Sequence, residues 1–405
     1  MDIRPILAAL RRHKTASSLI ILEIALSCAI LCNAVFLIHT RLQLMERVTG
    51  LAENDVVRLQ VANPGTDDNA PALAEEDLAA LRALPGVKAA AAANSIPLGM
   101  TGRSLDIKLR PEQSPLFEAS YYMGDAQLLD AMGLNLVAGR RFTPDELIDW
   151  KALDAPNSKL GMPVAIITRG MAERLFPGQN AVGKSIYAWD DTPTTIVGVV
   201  DHLAQPHGHN DPASYDFSVL LPVKGAFPNY IVRVADPSRR AEVLKLATDA
   251  LKRTAPSRLI LKQETVEEMR DSYYRSDVEM AWLLVIVCIA LLVITAFGIV
   301  GLASFWVQQR TGQIGVRRAL GATRTQILRY FQTENFLLAT FGIALGMLLA
   351  YAVNQLLMAK YELPRLPLMY LPIGAVVLWM LGQIAVWGPA RRAAAIPPAV
   401  ATRSV

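Results

Sequence analysis

Four stretches of this 405-residue chain are apolar with almost no charge for 20 residues or more: 17–38, 281–307, 335–358 and 367–387. A helix of about 20 apolar residues covers a hydrocarbon core of about 30 Å, so each stretch predicts a membrane-spanning helix. Basic residues precede the first stretch, as they do in a secretory signal. Its apolar part is too long for such a signal, however, and His39, Thr40 and Arg41 follow where a small-residue cleavage site would be needed. An uncleaved anchor is expected.

Between the first two spans the pattern changes to short alternating segments. Strands are expected at 56–61, 87–93, 104–110, 163–168, 185–189, 194–200, 217–223, 229–235 and 258–263, and helices at 74–84, 126–132, 169–176 and 239–253. Strand–helix–strand units near both ends predict an α+β domain with two subdomains. Residues 144–162 and 201–216 read as surface loops. At the domain's edges, Ile38, Leu42 and Met45 fall on one face of a helix continuing out of the first span. Residues 264–280 carry no Gly or Pro and run directly into the second. Both predict stalk helices able to carry motion between membrane and outer domain; ordinary juxtamembrane helices are the alternative. The fold class expected is an α-helical membrane protein with four transmembrane helices and a large extracytoplasmic α+β domain between the first and second.

Composition fits this picture: 52% hydrophobic and 19% charged residues, against about 25% charged in soluble domains. The net charge of +4, from 40 Lys and Arg against 36 Asp and Glu, excludes a strongly basic nucleic-acid binder. Its distribution says more than its total. Residues 1–16, 308–330 and the tail hold 12 Lys and Arg, including Arg4, Arg310, Arg317, Arg318, Arg391 and Arg403, with Asp2 their one acid. The positive-inside rule places both termini and the 308–330 loop in the cytoplasm. Residues 41–278 then lie outside, with 26 basic and 31 acidic side chains. Three cysteines, Cys28, Cys32 and Cys288, exclude a disulfide scaffold and are expected as small buried residues within the spans.

Few motifs carry chemistry. Gly178 to Ser185 (GQNAVGKS) matches the phosphate-binding pattern GxxxxGK[ST], which needs a strand before it and a helix after it. The order here reads helix first and strands afterwards, so nucleotide binding is not expected. His202, His207 and His209 beside Asp201 and Asp211 read as a solvated loop in preference to a metal site, and no catalytic constellation is expected. Glu23, Asn33 and Glu334 are the intramembrane polar candidates. For Glu23, a functional role and a structural one, reaching the headgroups or pairing with a nearby Arg, both stay open. Gly342 and Gly346, four apart in the third span, predict close helix packing within one chain or between two.

The segment 310–334 mixes basic and apolar residues around a break at Gly321-Ala322, which predicts a compact knob between two short helices. A basic loop held to anionic headgroups is the alternative. Its sequence RTGQIGVRRALGATRTQIL resembles the signature between the second and third spans of the FtsX/MacB permease family, the mechanotransmission class of ABC transporters. AGRRFTPDE, RGMAERLFPGQNAVGKSI and TTIVGVV resemble the MacB-like periplasmic core domain, and PARRAAAIPPAVATR resembles the family's tail. The organisation implied is a cytoplasmic amphipathic helix at 1–16, spans at 17–38, 281–307, 335–358 and 367–387, and a periplasmic core domain with stalks at 39–280. A coupling segment at 308–334 and a tail at 388–405 complete it, with an FtsX-like permease region at about 281–398.

The resemblance implies a multi-pass inner-membrane permease that is not itself an enzyme, working as a homo- or heterodimer with a cytoplasmic ABC ATPase. ATP and Mg2+ would be held by that partner and no cofactor by this chain. Membrane lipid, a periplasmic adaptor and an outer-membrane channel are further implied partners. Ile314, Gly315, Arg317, Arg318, Ala319, Gly321 and Ala322 are the implied ATPase-coupling residues. Only residues 2–16 precede the first span, so the ATPase is expected on a separate subunit. Efflux of an antimicrobial or secondary-metabolite-like compound is the expected function. Lipoprotein release and non-transport regulation of a cell-wall hydrolase are the alternatives. Two departures, Gln313 where the family often has an acid and Pro397-Pro398-Ala399-Val400 in the tail, bear on which ATPase is used.

Overall fold

The computed structural model describes residues 14–62, 69–156, 158, 160–189, 191–206, 214–361 and 365–395. Most of the expected N-terminal helix, the Pro397–Val400 motif, His207, His209 and Asp211 lie outside the described residues. The chain divides into two units, Met1–Met45 with Ser276–Val405, and Glu46–Arg275.

In chain order the elements are α1 (Lys14–Met45), β1 (Val56–Val61), α2 (Ala70–Arg82), β2 (Val87–Ala93), β3 (Ser104–Ile107), β4 (Phe117–Gly124), α3 (Leu128–Met132) and β5 (Leu136–Gly139). Next come β6 (Ile148–Asp149), α4 (Trp150–Leu153), β7 (Val164–Thr168), α5 (Arg169–Leu175), β8 (Ser185–Ile186), β9 (Thr194–Val200), β10 (Ser218–Lys224) and β11 (Asn229–Val234). The chain continues through α6 (Arg240–Thr254), β12 (Ile260–Thr265), α7 (Val266–Gln309), α8 (Thr311–Ala319), α9 (Arg324–Tyr361) and α10 (Tyr370–Ala394).

Helices α1, α7, α9 and α10 are long and apolar enough to cross a membrane. In lipid, helices associate through close packing and interhelical hydrogen bonds. Helix α1 is the most enclosed: 61% of its apolar window is covered by protein, against 17% for α7. It packs on α9 where Gly342 and Gly346 remove side chains. A Cβ at Gly342 would lie 2.8 Å from Ile24 Cβ, and one at Gly346 would lie 2.5 Å from Cys28 Cβ. The glycine pair therefore serves packing within the chain. A polar bond reinforces it: Asn33 Nδ2 donates to Ala350 O at 3.1 Å, as well as to Ala29 O of its own helix at 2.9 Å, while the Ser27 and Thr295 hydroxyls, 2.7 Å apart, join α1 to α7. All three cysteines are free and buried. Trp282, Leu283, Ile286 and Phe297 of α7 stay exposed, as lipid-facing side chains do.

In the other unit, the strand order β12-β1-β11-β2 is antiparallel throughout. Helix α2 joins β1 to β2, and α6 joins β11 to β12. Two crossover units are thus interleaved, the split βαβ arrangement of ferredoxin-like folds. Residues 94–228 are inserted between its second and third strands and build the remaining sheet, β4-β10-β7-β9-β5, with β3, β6 and β8 beside it. One register pair, Ala93↔Gly124, joins the two halves. Leu78, Leu81, Val243, Ala247 and Leu251 bury the helices against the sheet.

The α+β domain with two subdomains is as expected, but β4 is not a predicted strand. Its sequence FEASYYMG is buried from Ala119 onward without alternation, because both faces are covered. The expected loop at 144–162 contains β6 and α4 as well as a short turn at Pro144–Glu146. The false phosphate loop lies between α5 and β8, where Lys184 Nζ sits 4.4 Å over the Phe176 ring. Helix α7 opens with a capping box: Thr265 N–H donates to Glu268 Oε2 at 2.8 Å and Glu268 N–H to Thr265 Oγ1 at 3.2 Å. Arg41 of α1 pairs with Asp277 of α7.

Candidate functional site

The segment between the second and third spans folds in three steps. Helix α7 ends at Gln309, and Arg310 is the N-cap of α8, which is nine residues long. Helix α8 stops because Gly321 takes φ +98, a conformation that side chains with a Cβ disfavour. Its N–H bonds Arg318 O at 3.1 Å while Ala322 N–H bonds Arg317 O at 3.0 Å, the paired closure of a Schellman cap. Thr323 then caps α9: its N–H donates to Gln326 Oε1 at 2.9 Å and Gln326 N–H returns to Thr323 Oγ1 at 3.3 Å. The break falls at the expected glycine, but the next element is the 38-residue α9, not a second short helix.

One face of α8 is fixed. Ile314 (5% exposed) and Gly315 point inward. Arg310 Nη1 meets both Glu334 oxygens, at 3.0 and 2.9 Å, and its guanidinium lies 5.7 Å from the Trp306 ring. Arg318 Nη1 donates 3.0 Å to Ala394 O at the end of α10, where helix carbonyls lack internal partners. Arg317 lies 5.0 Å from the Tyr330 ring. The other face is open: Val316 is 51% and Leu320 82% exposed, beside Arg317, Ala319 and Gly321. Ala322 is half-buried. Val316 and Leu320 are exposed apolar residues absent from the coupling set expected from sequence.

The intramembrane candidates separate. Glu334 is the buried partner of Arg310, and Asn33 bonds backbone carbonyls. Glu23 has no ion-pair partner among the described residues; it faces Gly298 of α7, where a Cβ would collide with its carboxylate. In the outer domain, His202 Nδ1 is 3.1 Å from Asp216 Oδ2, and burial raises the Asp216 carboxyl from its ordinary value. Among the described residues no His, Cys, Asp and Glu group has metal-site geometry. Asp77 is a structural hub, receiving Tyr230 Oη and Thr254 Oγ1 at 2.5 Å and Arg258 Nη2 at 2.7 Å.

The family model of the MacB-like periplasmic core domain matches residues 17–250, and that of the FtsX-like permease C-terminal region matches 285–398. The ABC transporter permease YvrN of Bacillus subtilis (strain 168) is 24% identical, with 96% of each chain covered. The macrolide export ATP-binding/permease protein MacB of Bartonella quintana (strain Toulouse) is 25% identical, covering 98% of this chain. The chain spans nearly all of YvrN's length but 58% of that MacB's. The crystal structure of the periplasmic region of MacB from Actinobacillus actinomycetemcomitans aligns with a TM-score of 0.36 at 15% identity, over 57% of this chain and 97% of that one.

Proposed function

The chain belongs to the family of ABC transporter permeases with a MacB-like periplasmic core domain and an FtsX-like C-terminal region, and on that premise we infer that α8 is the element through which a separate cytoplasmic ATPase drives it. The observation that carries this reading is the division of α8 into a seated face and an open one. An amphipathic segment lying on lipid would have no need to lock one face into protein. Val316 and Leu320 supply apolar contact, and Arg317 supplies charge for an acidic rim on the ATPase. The 308–330 loop and both termini are cytoplasmic in this reading, which the 12 Lys and Arg against one acid support.

ATP binding and hydrolysis by the partner move α8, and the motion passes along α7, one unbroken helix of 44 residues from Val266 to Gln309. The outer domain changes conformation in response. The work done there is export of an antimicrobial or secondary-metabolite-like compound, by a dimer of permease chains acting with an adaptor and an outer-membrane channel. Macrolide export, the function in the MacB relatives' name, supports the direction of transport.

The test is co-purification of an ABC ATPase with the tagged full chain from its own cells. Arg317→Glu and Leu320→Asp are expected to abolish co-purification while membrane insertion and thermal unfolding stay unchanged. Undiminished recovery of the ATPase with both variants would remove the role assigned to α8. Deletion of the chain is expected to lower tolerance to at least one exported compound; unchanged tolerance and unchanged periplasmic release would contradict the export reading.

A further inference from the structure

Beyond β2 the chain makes a loop over residues 94–103 before entering β3. Leu98 and Met100 in this loop hold φ of 64° and 61°, a region disfavoured by residues with a Cβ. Strain of this kind survives only where the surroundings hold it, and it gathers at binding and switching sites. Here the surroundings are firm. Leu98 is buried, the Ser95 hydroxyl donates to Thr101 O, and Gly99 N–H bonds Ile96 O at 3.0 Å.

The loop forms one wall of a partly open cavity of about 320 Å³ within the outer domain. Tyr121 and Met123 of β4, Trp150 at the start of α4 and Phe227 between β10 and β11 form the others. Trp150 reaches its place because residue 225 is glycine: a Cβ there would lie 2.9 Å from Trp150 Cβ. The Trp150 and Phe227 rings are 6.4 Å apart at 58°. Asn94 pins the cavity's floor, its Oδ1 accepting the Met123 N–H at 2.7 Å. Arg103 is the one charged residue among the described lining; it is exposed, and no described side chain pairs with it. Acidic side chains (Glu75, Asp125 and Asp149) line a different cavity.

Small-molecule sites are typically clefts of about 300–1,000 Å³, mostly apolar and aromatic, with a few placed polar groups. We propose that this cavity binds a small organic anion with a flat ring body, the ring lying among Tyr121, Trp150 and Phe227 and the anionic group meeting the Arg103 guanidinium. The site uses no part of α8, so it stands or falls independently of the ATPase reading.

The probe is 2-naphthoate, titrated by calorimetry into the full chain in phosphatidylcholine nanodiscs, with empty nanodiscs subtracted. Saturable binding at one site per chain is expected. Arg103→Gln should weaken it about tenfold or more, the scale of a lost charge-assisted hydrogen bond. Neutral 2-naphthamide should bind about tenfold more weakly than 2-naphthoate and be indifferent to Arg103→Gln. Trp150→Ala should abolish binding, while Trp150→Phe, which keeps an aromatic face, should retain it within about threefold. Arg103 is exposed, so Arg103→Gln decides the matter even if Trp150→Ala fails to fold. Absence of saturable 2-naphthoate binding to the unmodified chain, or equal affinity with and without Arg103, would overturn the proposal.

Discussion

Arg310 and Glu334 bring opposite charges into a region where their side chains are 11% and 1% exposed. Removing one partner of a buried pair leaves an uncompensated charge and costs about 3–5 kcal/mol, whereas replacing both by apolar residues is often neutral. Arg310→Leu and Glu334→Leu should therefore each lower thermal stability in detergent, and the double variant should recover most of the loss. Additive losses would show that the two residues act separately. A surface pair behaves differently. The Arg140 guanidinium holds the Glu146 carboxyl down at about 2, below its ordinary 4.5. A lowered folded-state value means stabilisation is complete above the ordinary value and disappears as pH falls through the folded one. The stability difference between the unmodified chain and Glu146→Gln should be present at neutral pH and vanish near pH 2; a pH-independent difference would contradict the assignment. Glu334 was legible in the sequence as an intramembrane acid, but its partner was not. Arg310 lies 24 residues earlier, between α7 and α8, and only tertiary packing brings the two together.

The elements show where sequence patterns decide structure and where they do not. The break after α8 follows from Gly321, and the caps at Thr265 and Thr323 follow from Glu268 and Gln326 three residues on. Strand β4 is not legible in the sequence because a strand covered on both faces has no alternation of apolar and polar positions. Helix α8 poses a different difficulty. Ile314, Val316 and Leu320 are all apolar, yet residues two apart on a helix point to nearly opposite sides. So short a pattern does not say which is inside; the structure places Ile314 inward and leaves Val316 and the C-cap Leu320 open. For α1 against α9, the spacing of Gly342 and Gly346 was legible, but its partner helix was not. Gly346→Val should destabilise the helical unit, since the new Cβ would meet Cys28 Cβ at 2.5 Å and Ala25 O at 2.7 Å. Overpacking of this sort typically costs about 1–3 kcal/mol. Gly301→Val in α7 is the control, with nothing within 4 Å of its Cβ. Equal effects at both positions would refute the packing role.

At the scale of the whole molecule, charge is distributed unevenly along the chain. Residues 1–16, 308–330 and the tail hold 12 Lys and Arg against one acid, and residues 41–278 carry 26 basic against 31 acidic residues. The ferredoxin-like half is built from both ends of the outer domain, β1–α2–β2 and β11–α6–β12, so it closes only after the insertion at 94–228 has folded or looped out. Sequence order hid that arrangement, since the pairing of β1 with β11 joins residues about 170 positions apart. In the proposed function, the open face of α8 meets an ATPase. The most direct measurement is photo-crosslinking in native membranes from a benzophenone amino acid placed at Leu320, 82% exposed, and in parallel at Ile314, 5% exposed. A covalent adduct with an ABC ATPase is expected from position 320 and none from 314. Adducts from 320 with lipid alone, or equal ATPase adducts from both positions, would contradict it.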